Sequence, residues 1–305
     1  MSSELSKTLR DLTAGTAGGC AGIVVGHPLD TVKTRMQSIH TRGLYSGTID
    51  ALVTIVRKEG WRAWFRGIAA PLLGNAPVNA VMFAAYGNAK RAMDLEWGPD
   101  PPGKTSHAKA AIAGGWGGLL QCAITTPMEL IKCRQQVTQG RTGHIPGMGD
   151  TVRALVSEAG LVRGLFRGFG ATVLRDVPSF AAYFWAYEVT KDALRAYAGI
   201  PCVDKRGKVV VAPVWVLLTA GSVAGVATWV SCYPIDVVKT AQQTLPEGTP
   251  ASERTIAAVT RRIWRSEGAI GFTRGIVPTV VRAVPSNAVT FLVYEWCLQV
   301  MGHHD

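Results

Sequence analysis

The fold of this chain is decided by three stretches of its sequence, Pro28-Leu29-Asp30-Thr31-Val32-Lys33, Pro127-Met128-Glu129-Leu130-Ile131-Lys132 and Pro234-Ile235-Asp236-Val237-Val238-Lys239. Each has a proline, an acid and a lysine at the same spacing, and the copies recur about one hundred residues apart. A glutamine follows each proline at one fixed distance, as Gln37, Gln136 and Gln243. The recurrence predicts three tandem copies of a single structural unit.

A second element follows each proline motif, in the same order every time. It is an acid followed by an aromatic residue, an arginine and a glycine: Glu59 before Phe65-Arg66-Gly67, Glu158 before Phe166-Arg167-Gly168, and Glu267 before Phe272-Thr273-Arg274-Gly275. One Pro-x-acid-x-x-Lys match would carry little weight, but two elements in register three times define the repeats. We assign the repeats to residues 9–100, 105–200 and 210–302.

The composition indicates a membrane protein. Hydrophobic residues make up 48% of the chain, charged residues only 17%, and the mean hydropathy is +0.17. Soluble domains carry about a quarter charged residues. Six stretches with few or no charges approach the roughly 20 residues that a bilayer helix needs, namely 12–29, 67–89, 110–128, 168–187, 212–235 and 275–294. Short amphipathic helices are predicted between them at 48–58, 150–158 and 254–266. The predicted fold class is an all-α membrane protein with two spans in each repeat.

Several other functional classes find no support in the sequence. The formal net charge is +11, but no zinc spacing, recognition module or dense basic run accompanies it, so nucleic-acid binding is not expected. The six cysteines form no C-x-x-C pair, and we expect neither a metal site nor a disulfide framework. No nucleophile elbow, Walker loop or dinucleotide fingerprint is present, so we expect neither an enzyme nor a cofactor. Because the N-terminal segment has no presequence pattern, we expect targeting information inside the chain.

The proline motifs and the Arg-Gly elements that follow them resemble the signature of the mitochondrial carrier family, and the likeness covers essentially the whole chain. The resemblance implies six transmembrane helices in a pseudo-threefold barrel, short matrix helices, and a location in the inner mitochondrial membrane. It also implies a monomer that moves a small-molecule substrate by alternating access. A proton-leak protein and a non-transporting scaffold on the same fold stay open as alternatives.

Charges at membrane depth are costly unless they are paired, so the repeated acids and lysines are expected to pair. Threefold repetition favours pairs between repeats: Asp30 with Lys132, Glu129 with Lys239, and Asp236 with Lys33. The alternative is a local pair inside each motif. In the family this ring is the matrix gate, and the resemblance implies that Gln37, Gln136 and Gln243 brace it by hydrogen bonds to the ion pairs.

A second, cytoplasmic gate is implied on the even-numbered helices, where family members carry an aromatic residue, an acid and a base. The matching segments are Tyr86-Gly87-Asn88-Ala89-Lys90, Tyr187-Glu188-Val189-Thr190-Lys191 and Tyr294-Glu295-Trp296-Cys297-Leu298. The first lacks the acid and the third lacks the base. Pairing between repeats would leave only Glu295 with Lys90, and Glu188 and Lys191 would lose their partners. We therefore expect a weak cytoplasmic gate.

At one fixed spacing before those tyrosines stand Gly74, Arg175 and Arg282, at a common predicted depth of roughly 18 Å from the gate. In the family this level forms the substrate contact points, together with the neighbouring residues that are here Val78, Asn79 and Asp176. Two guanidinium groups suit a carboxylate, and Asp176 is expected to take a cationic nitrogen. Trp229 and His27 are further candidates for the cavity wall, although packing is the commoner role of a tryptophan in such a helix.

The candidate substrate is therefore a small zwitterion or a basic amino acid. Arg175-Asp176-Val177-Pro178 and Arg282-Ala283-Val284-Pro285 resemble the branch that carries carnitine and acylcarnitines, ornithine and basic amino acids. The segment around His27 is closer to carnitine carriers, whereas the segment around Trp229 is closer to basic-amino-acid carriers. Val78 stands where ornithine carriers have a glutamate, which weakens the ornithine interpretation. The other two interpretations both stay open.

Glycines and arginines near helix starts resemble the elements at which family members hold cardiolipin. They are Gly47, Arg66, Gly67, Gly147, Arg167, Gly168, Arg274 and Gly275. Free backbone N–H groups at a helix N-terminus attract phosphate, which gives the likeness a physical basis. Cardiolipin is thus expected as a structural lipid, with the third repeat weakest because no glycine immediately precedes Thr255.

Overall fold

The protein is helical in each of its three repeats. The computed structural model describes residues 2–41, 43–138, 147–204, 207–246 and 248–301. The helices are α1 (Ser2–Gln37), α2 (Thr48–Glu59) and α3 (Ala69–Trp97), then α4 (His107–Val137), α5 (Met148–Ala159), α6 (Leu161–Leu165) and α7 (Phe169–Tyr197), and finally α8 (Val214–Gln243), α9 (Ile256–Glu267) and α10 (Ile276–Val300). Short 3-10 helices lie at Trp61–Phe65, Ala251–Arg254 and Gly268–Thr273. These residues form no β-strand beyond a single bridge between Val203 and Val209.

Six helices are long, two in each repeat, and each contains a proline. The prolines are Pro28, Pro77, Pro127, Pro178, Pro234 and Pro285. A proline inside a helix removes one backbone hydrogen bond and crowds the preceding turn, so it bends the helix. In α8 the bend is 50° and lies just before Pro234.

Length and hydropathy identify only some of the long helices as membrane spans. Two continuous helical stretches qualify, Trp61–Trp97 and Ile256–Val300, and the bent α8 makes a third. The remaining three long helices have 36, 31 and 29 residues, which is ample for a bilayer. Their mean hydropathy is lowered by the charged motif residues that they carry. Charges on long helices of this kind indicate a polar interior.

The helices belong to two compact units. The first unit comprises Met1–Pro77, Ile124–Gly168 and Val237–Asp305, and the second comprises Val78–Ala123 and Phe169–Asp236. The first contains α1, α10 and the amphipathic helices α2, α5 and α9. The second contains α7 and most of α8.

Glycines let α1 pack closely along α10 in the first unit. A Cβ added at Gly18 would lie 2.6 Å from the carbonyl oxygen of Thr290, and one at Gly22 would lie 2.1 Å from its Oγ1. A Cβ at Gly26 would lie 2.4 Å from Ser286 Oγ. Small residues allow helix backbones to approach in this way inside a membrane. The first and last long helices of the chain are therefore direct neighbours.

In the second unit, glycines allow close helix packing on α4, and the glycines of α8 do not take part in such packing among the described residues. A Cβ at Gly114 of α4 would lie 2.7 Å from the carbonyl oxygen of Phe180, so α4 and α7 are in close contact. On α8, no described atom lies within 4 Å of a Cβ placed at Gly221 or Gly225. Among the described residues, close contact at a glycine thus occurs at Gly114 and not at Gly221 or Gly225.

The amphipathic helices bury one face against the ends of the long helices. Ala51 and Ile55 of α2 join Val32 in one core cluster. Leu155 of α5 joins Leu130 in another. The three helices lie within about two residues of their predicted positions. Their packing fixes the α1 and α4 segments that carry the proline motifs.

Candidate functional site

Two of the predicted ion pairs between repeats are present in the first unit. Lys132 Nζ lies 2.7 Å from Asp30 Oδ2, and Lys239 pairs with Glu129. In both, the lysine comes from the repeat that follows the acid, as threefold repetition suggested. Lys239 is only 2% exposed, so its charge depends on this partner.

Arg282 of α10 joins the same cluster. Its Nε lies 3.0 Å from Asp30 Oδ1, while Lys132 occupies the other carboxylate oxygen. The aliphatic part of Arg282 passes over Gly26, where a Cβ would be 3.0 Å from its Cγ. The side chains of Arg282 and Asp30 keep 27% and 17% of their surface exposed, so the pair is partly open. A residue predicted to bind substrate is thus ion-paired with an acid of a proline motif.

Arg175 repeats this relationship in the second unit. Its Nη1 lies 3.0 Å from Asp236 Oδ1, and its Nε lies 2.5 Å from Asp176 Oδ1. Asp236 is the acid of the third proline motif. Its predicted partner Lys33 belongs to the first unit, so that pair stays a prediction. The cost of an isolated charge at membrane depth favours such arginine–acid pairs.

Asp176, which we expected to take a cationic nitrogen of the solute, is buried. The residue is 1% exposed and lies where α7 packs on α4. Its backbone oxygen would be 3.0 Å from a Cβ at Gly118, and the thiol of Cys122 lies 3.8 Å from its Oδ2. Because these α4 residues cover it, Asp176 holds Arg175 in place and is not open to a solute in this structure.

Gly74 and His27, two predicted cavity residues of the first unit, are also buried. Gly74 lies against Met128, whose Cε would be 1.7 Å from an added Cβ. His27 is 0% exposed, its Nε2 donates to the carbonyl of Arg66 at 2.9 Å, and its ring stacks on Phe65. Both residues therefore serve packing in this structure.

The remaining predicted contact residues lie in the second unit. Val78 and Trp229 are half-buried, whereas Asn79 is exposed on α3. The Trp229 ring lies 6.3 Å from that of Tyr233 on the same helix. None of these placements assigns a substrate role, so the roles of these three residues stay predictions.

Gln136 and Gln37 form hydrogen bonds to groups outside the ion pairs, and the bracing role implied by the family resemblance stays a prediction. Gln136 accepts from the Thr34 hydroxyl at 2.8 Å and donates to Thr31 Oγ1 at 3.2 Å. Gln37 donates to the carbonyl of Arg274 at 3.3 Å, and the buried amide of Gln243 has no hydrogen-bond partner among the described residues. Gln136 lies one helical turn beyond the lysine of its motif, about 6 Å along the axis, so its amide reaches neighbouring hydroxyls instead.

Residues of the predicted cytoplasmic gate lie mainly in the second unit. Glu188 and Lys191, which we expected to lack partners, pair with each other along α7. Lys90 lies 3.9 Å from Asp100 and donates to the Thr105 hydroxyl at 3.2 Å. Its predicted partner Glu295 lies in the other unit, so that pair stays a prediction.

Two tyrosines of the predicted cytoplasmic gate also lie in the second unit. The Tyr86 ring stacks on that of Phe184, with 4.3 Å between the ring centroids. The Tyr187 ring lies beneath the Lys191 ammonium. The third tyrosine, Tyr294, packs beside Gly18 in the first unit.

The arginines of the candidate lipid elements are already engaged. Arg66 pairs with Glu59, Arg167 lies 3.5 Å from Glu158, and Arg274 lies 2.5 Å from Glu267. The glycines that follow them, Gly67, Gly168 and Gly275, have φ values of 79°, 85° and 80°, which side chains other than glycine rarely adopt. The Arg-Gly elements therefore fix the turns into α3, α7 and α10.

Two glycine-capped helix starts meet at one cavity of about 460 Å³ in the first unit. Gly47 precedes α2, Gly275 precedes α10, and both line the cavity. Asp50 also lines it, and a hydrogen bond from the Ser46 N–H lowers the pKa of that carboxyl. In the second repeat the Gly147 N–H donates to Asp150 at 3.0 Å instead. In the third, Thr255 caps α9 by accepting from the Ala258 N–H.

Three repeats of two long helices, with acids and bases paired between repeats, define a helical transporter that carries a small solute through a membrane. The chain belongs to the mitochondrial carrier family, because the sequence pattern of the family described as mitochondrial carrier protein matches residues 4–96, 103–198 and 211–305. Members of this family are transporters rather than enzymes. The chain is accordingly a solute carrier of the inner mitochondrial membrane.

Curated relatives resemble the chain over nearly its whole length. The mitochondrial basic amino acids transporter of Bos taurus is 38% identical over 285 residues, which is 92% of this chain and 88% of the relative. The mitochondrial arginine transporter BAC2 of Arabidopsis thaliana is 36% identical, with 96% and 91% covered. The mitochondrial carnitine/acylcarnitine carrier-like protein of the same plant is 35% identical, with 96% and 98% covered.

Proposed function

We propose that this carrier transports basic amino acids across the inner mitochondrial membrane. One observation carries the proposal: both arginines at the predicted substrate level, Arg282 and Arg175, are ion-paired with an acid of a proline motif. A solute with a carboxylate and cationic groups can replace both members of such a pair. Its carboxylate takes the guanidinium, and its cations take the acid that is released.

Charge balance then explains selectivity. A simple carboxylate would bind Arg282 but leave Asp30 short of one cation. A simple amine would bind Asp30 and leave the guanidinium unpaired. A desolvated charge that loses its partner costs about 2–5 kcal/mol, so solutes with one kind of charge should bind at least tenfold more weakly.

The names of two of the relatives, a basic amino acids transporter and an arginine transporter, favour a basic amino acid over carnitine. In the first unit, Asp30 is held by both Arg282 and Lys132, so a cationic group of such a solute would meet an acid there.

Asp30 also couples substrate binding to the ion pairs of the matrix gate. Its carboxylate holds Lys132 as well as Arg282, so a substrate that competes for Arg282 disturbs the pair that joins α1 to α4. We assign the two inter-repeat pairs to the matrix gate on this ground. On the cytoplasmic side, the local Glu188–Lys191 pair joins no two repeats, which supports a weaker gate there.

Cardiolipin is the lipid that we propose for the cavity between Gly47 and Gly275. The starts of α2 and α10 both present backbone N–H groups that no cap side chain can accept, because both caps are glycine. A lipid phosphate would receive these donors. With lipid covering this surface, we propose that the carrier works as a monomer.

The function is tested by uptake into proteoliposomes. We expect saturable uptake of arginine and lysine, at least tenfold weaker uptake of carnitine, and little uptake of butyrate or butylamine. Carnitine uptake that equals arginine uptake would favour the other branch of relatives. Proton conductance without any solute uptake would show a leak protein and refute the proposal.

A further inference from the structure

The outer face of α9 carries an unusual concentration of arginines. Arg261, Arg262 and Arg265 are all exposed, and together with Ala258, Glu253 and Ser266 they line a groove of about 590 Å³. All of these residues belong to the first unit. None of the residues that line the groove belongs to the proposed substrate site.

Helix geometry brings the three guanidinium groups to one side. At about 100° per residue, Arg261, Arg262 and Arg265 fall within one sector of about 100°. Val259 and Ile263, the buried residues of α9, lie on the other side. Ala258 lies in the arginine sector and leaves room between the longer side chains. The three arginine side chains therefore surround the small side chain of Ala258 at the base of the groove.

These arginines have no acidic partners within the part of the chain that the structure describes. Eight other arginines of the same unit do have them: Arg35, Arg66, Arg134, Arg153, Arg167, Arg254, Arg274 and Arg282. Glu253 lines the groove but lies more than 4 Å from all three guanidinium groups. The groove thus keeps an excess of positive charge and unused N–H donors.

From this arrangement we propose that the α9 groove binds an anion with two phosphate groups. Guanidinium groups bind phosphate oxygens by paired hydrogen bonds, and three of them around one groove suit two neighbouring phosphates. The site differs from the glycine-capped helix starts, because Thr255 caps α9 and the groove lies along the side of the helix. The proposal does not depend on which solute is carried.

Two sources could supply this chemistry, a soluble diphosphate or the headgroup of cardiolipin, and the test separates them. Pyrophosphate is titrated calorimetrically into purified carrier at constant ionic strength. In parallel, tightly bound cardiolipin is counted by native mass spectrometry after extraction from cardiolipin-containing nanodiscs. The variant is Arg261→Gln/Arg262→Gln/Arg265→Gln. The control, Arg57→Gln/Lys58→Gln/Arg62→Gln, removes three exposed charges from the equivalent part of the first repeat.

We expect the α9 variant to raise the Kd for pyrophosphate at least tenfold or to lose one bound cardiolipin, and the control to change the Kd less than twofold. Loss in the pyrophosphate arm alone identifies a soluble anion, and loss in the cardiolipin arm alone identifies a headgroup. If neither arm responds, or if the control loses as much as the variant, the proposal is overturned. Arg265→Gln alone repeats the test should the triple variant fold poorly.

Discussion

Arg282 Nε lies 3.0 Å from Asp30 Oδ1, which joins the sixth long helix to the first through a charge pair. The sequence predicted that Arg282 binds a substrate carboxylate and that Asp30 pairs with Lys132. Asp30 instead serves both cations at once, Lys132 through one oxygen and Arg282 through the other. A substrate must therefore compete with an internal carboxylate.

This competition predicts a specific mutational pattern at the pair. Arg282→Ala should lower arginine uptake at least tenfold, because the substrate carboxylate loses its guanidinium. Arg282→Lys should rescue it only in part, since a lysine cannot form paired hydrogen bonds. The measurement is initial-rate uptake in proteoliposomes, with the exposed Arg57→Ala as control. Wild-type affinity in Arg282→Ala would place the carboxylate site elsewhere.

The two gates should respond unequally to loss of a lysine. Lys132 holds an acid of another repeat, whereas Lys191 pairs within its own helix. Lys132→Ala should therefore impair transport strongly, and Lys191→Ala should impair it less, because the Glu188–Lys191 pair joins no two repeats. The measurement compares the uptake rates of the two variants, each normalised to the amount of reconstituted protein. Equal losses in both variants would refute the assignment of gates.

The burial of Asp176 predicts a loss of stability. Asp176→Asn removes the charge that faces Arg175 at 2.5 Å in a buried environment, and should cost about 1–3 kcal/mol. Thermal unfolding in detergent should show a Tm several degrees lower. Glu96→Gln makes the same chemical change on an exposed residue and should leave Tm unchanged. An unchanged Tm for Asp176→Asn would instead indicate a carboxylate that faces water.

Helix packing predicts opposite outcomes for two glycine substitutions in the second unit. Gly114→Ala should destabilise the protein, because its Cβ would meet the Phe180 carbonyl at 2.7 Å and the backbone would have to move. Gly221→Ala has open space and should be neutral or stabilising by up to about 1 kcal/mol, the difference in helix propensity. Tm values of the two variants provide the comparison. A destabilised Gly221→Ala would contradict the open space at that position.

Cardiolipin should stabilise the protein through the cavity at Gly47 and Gly275. We expect Tm to rise on addition of cardiolipin and hardly to change with phosphatidylcholine. Gly47→Asp should reduce the cardiolipin effect, because a carboxylate at the cap would accept the N–H groups and repel phosphate. A similar response to both lipids would exclude a specific headgroup site.

Much of the fold could be predicted because its signals are local. The proline motifs, the uncharged stretches and the amphipathic helix around Ile55 each lie within a short run of residues. The side of a long helix on which a charge lies was harder to foresee, since α7 has charges but only a weak periodic pattern. Asp176 was therefore expected to contact a cationic nitrogen of the solute, although Gly118 and Cys122 of another helix cover it in this structure. His27 of α1, expected in the cavity wall, is likewise buried in this structure.

The contact of α1 with α10 also bears on how the chain is made. Gln37 binds the carbonyl of Arg274, 237 residues later, and Gly18 needs Thr290 beside it. Synthesis proceeds from the N-terminus at about 5–20 residues per second, so the first helix must wait for the last. Until then its glycine face is uncovered, and Asp30 has Lys132 but not Arg282 as a partner. Chains truncated before α10 should accordingly be recognised by chaperones and proteases as unfinished, whatever the stability of their first two repeats.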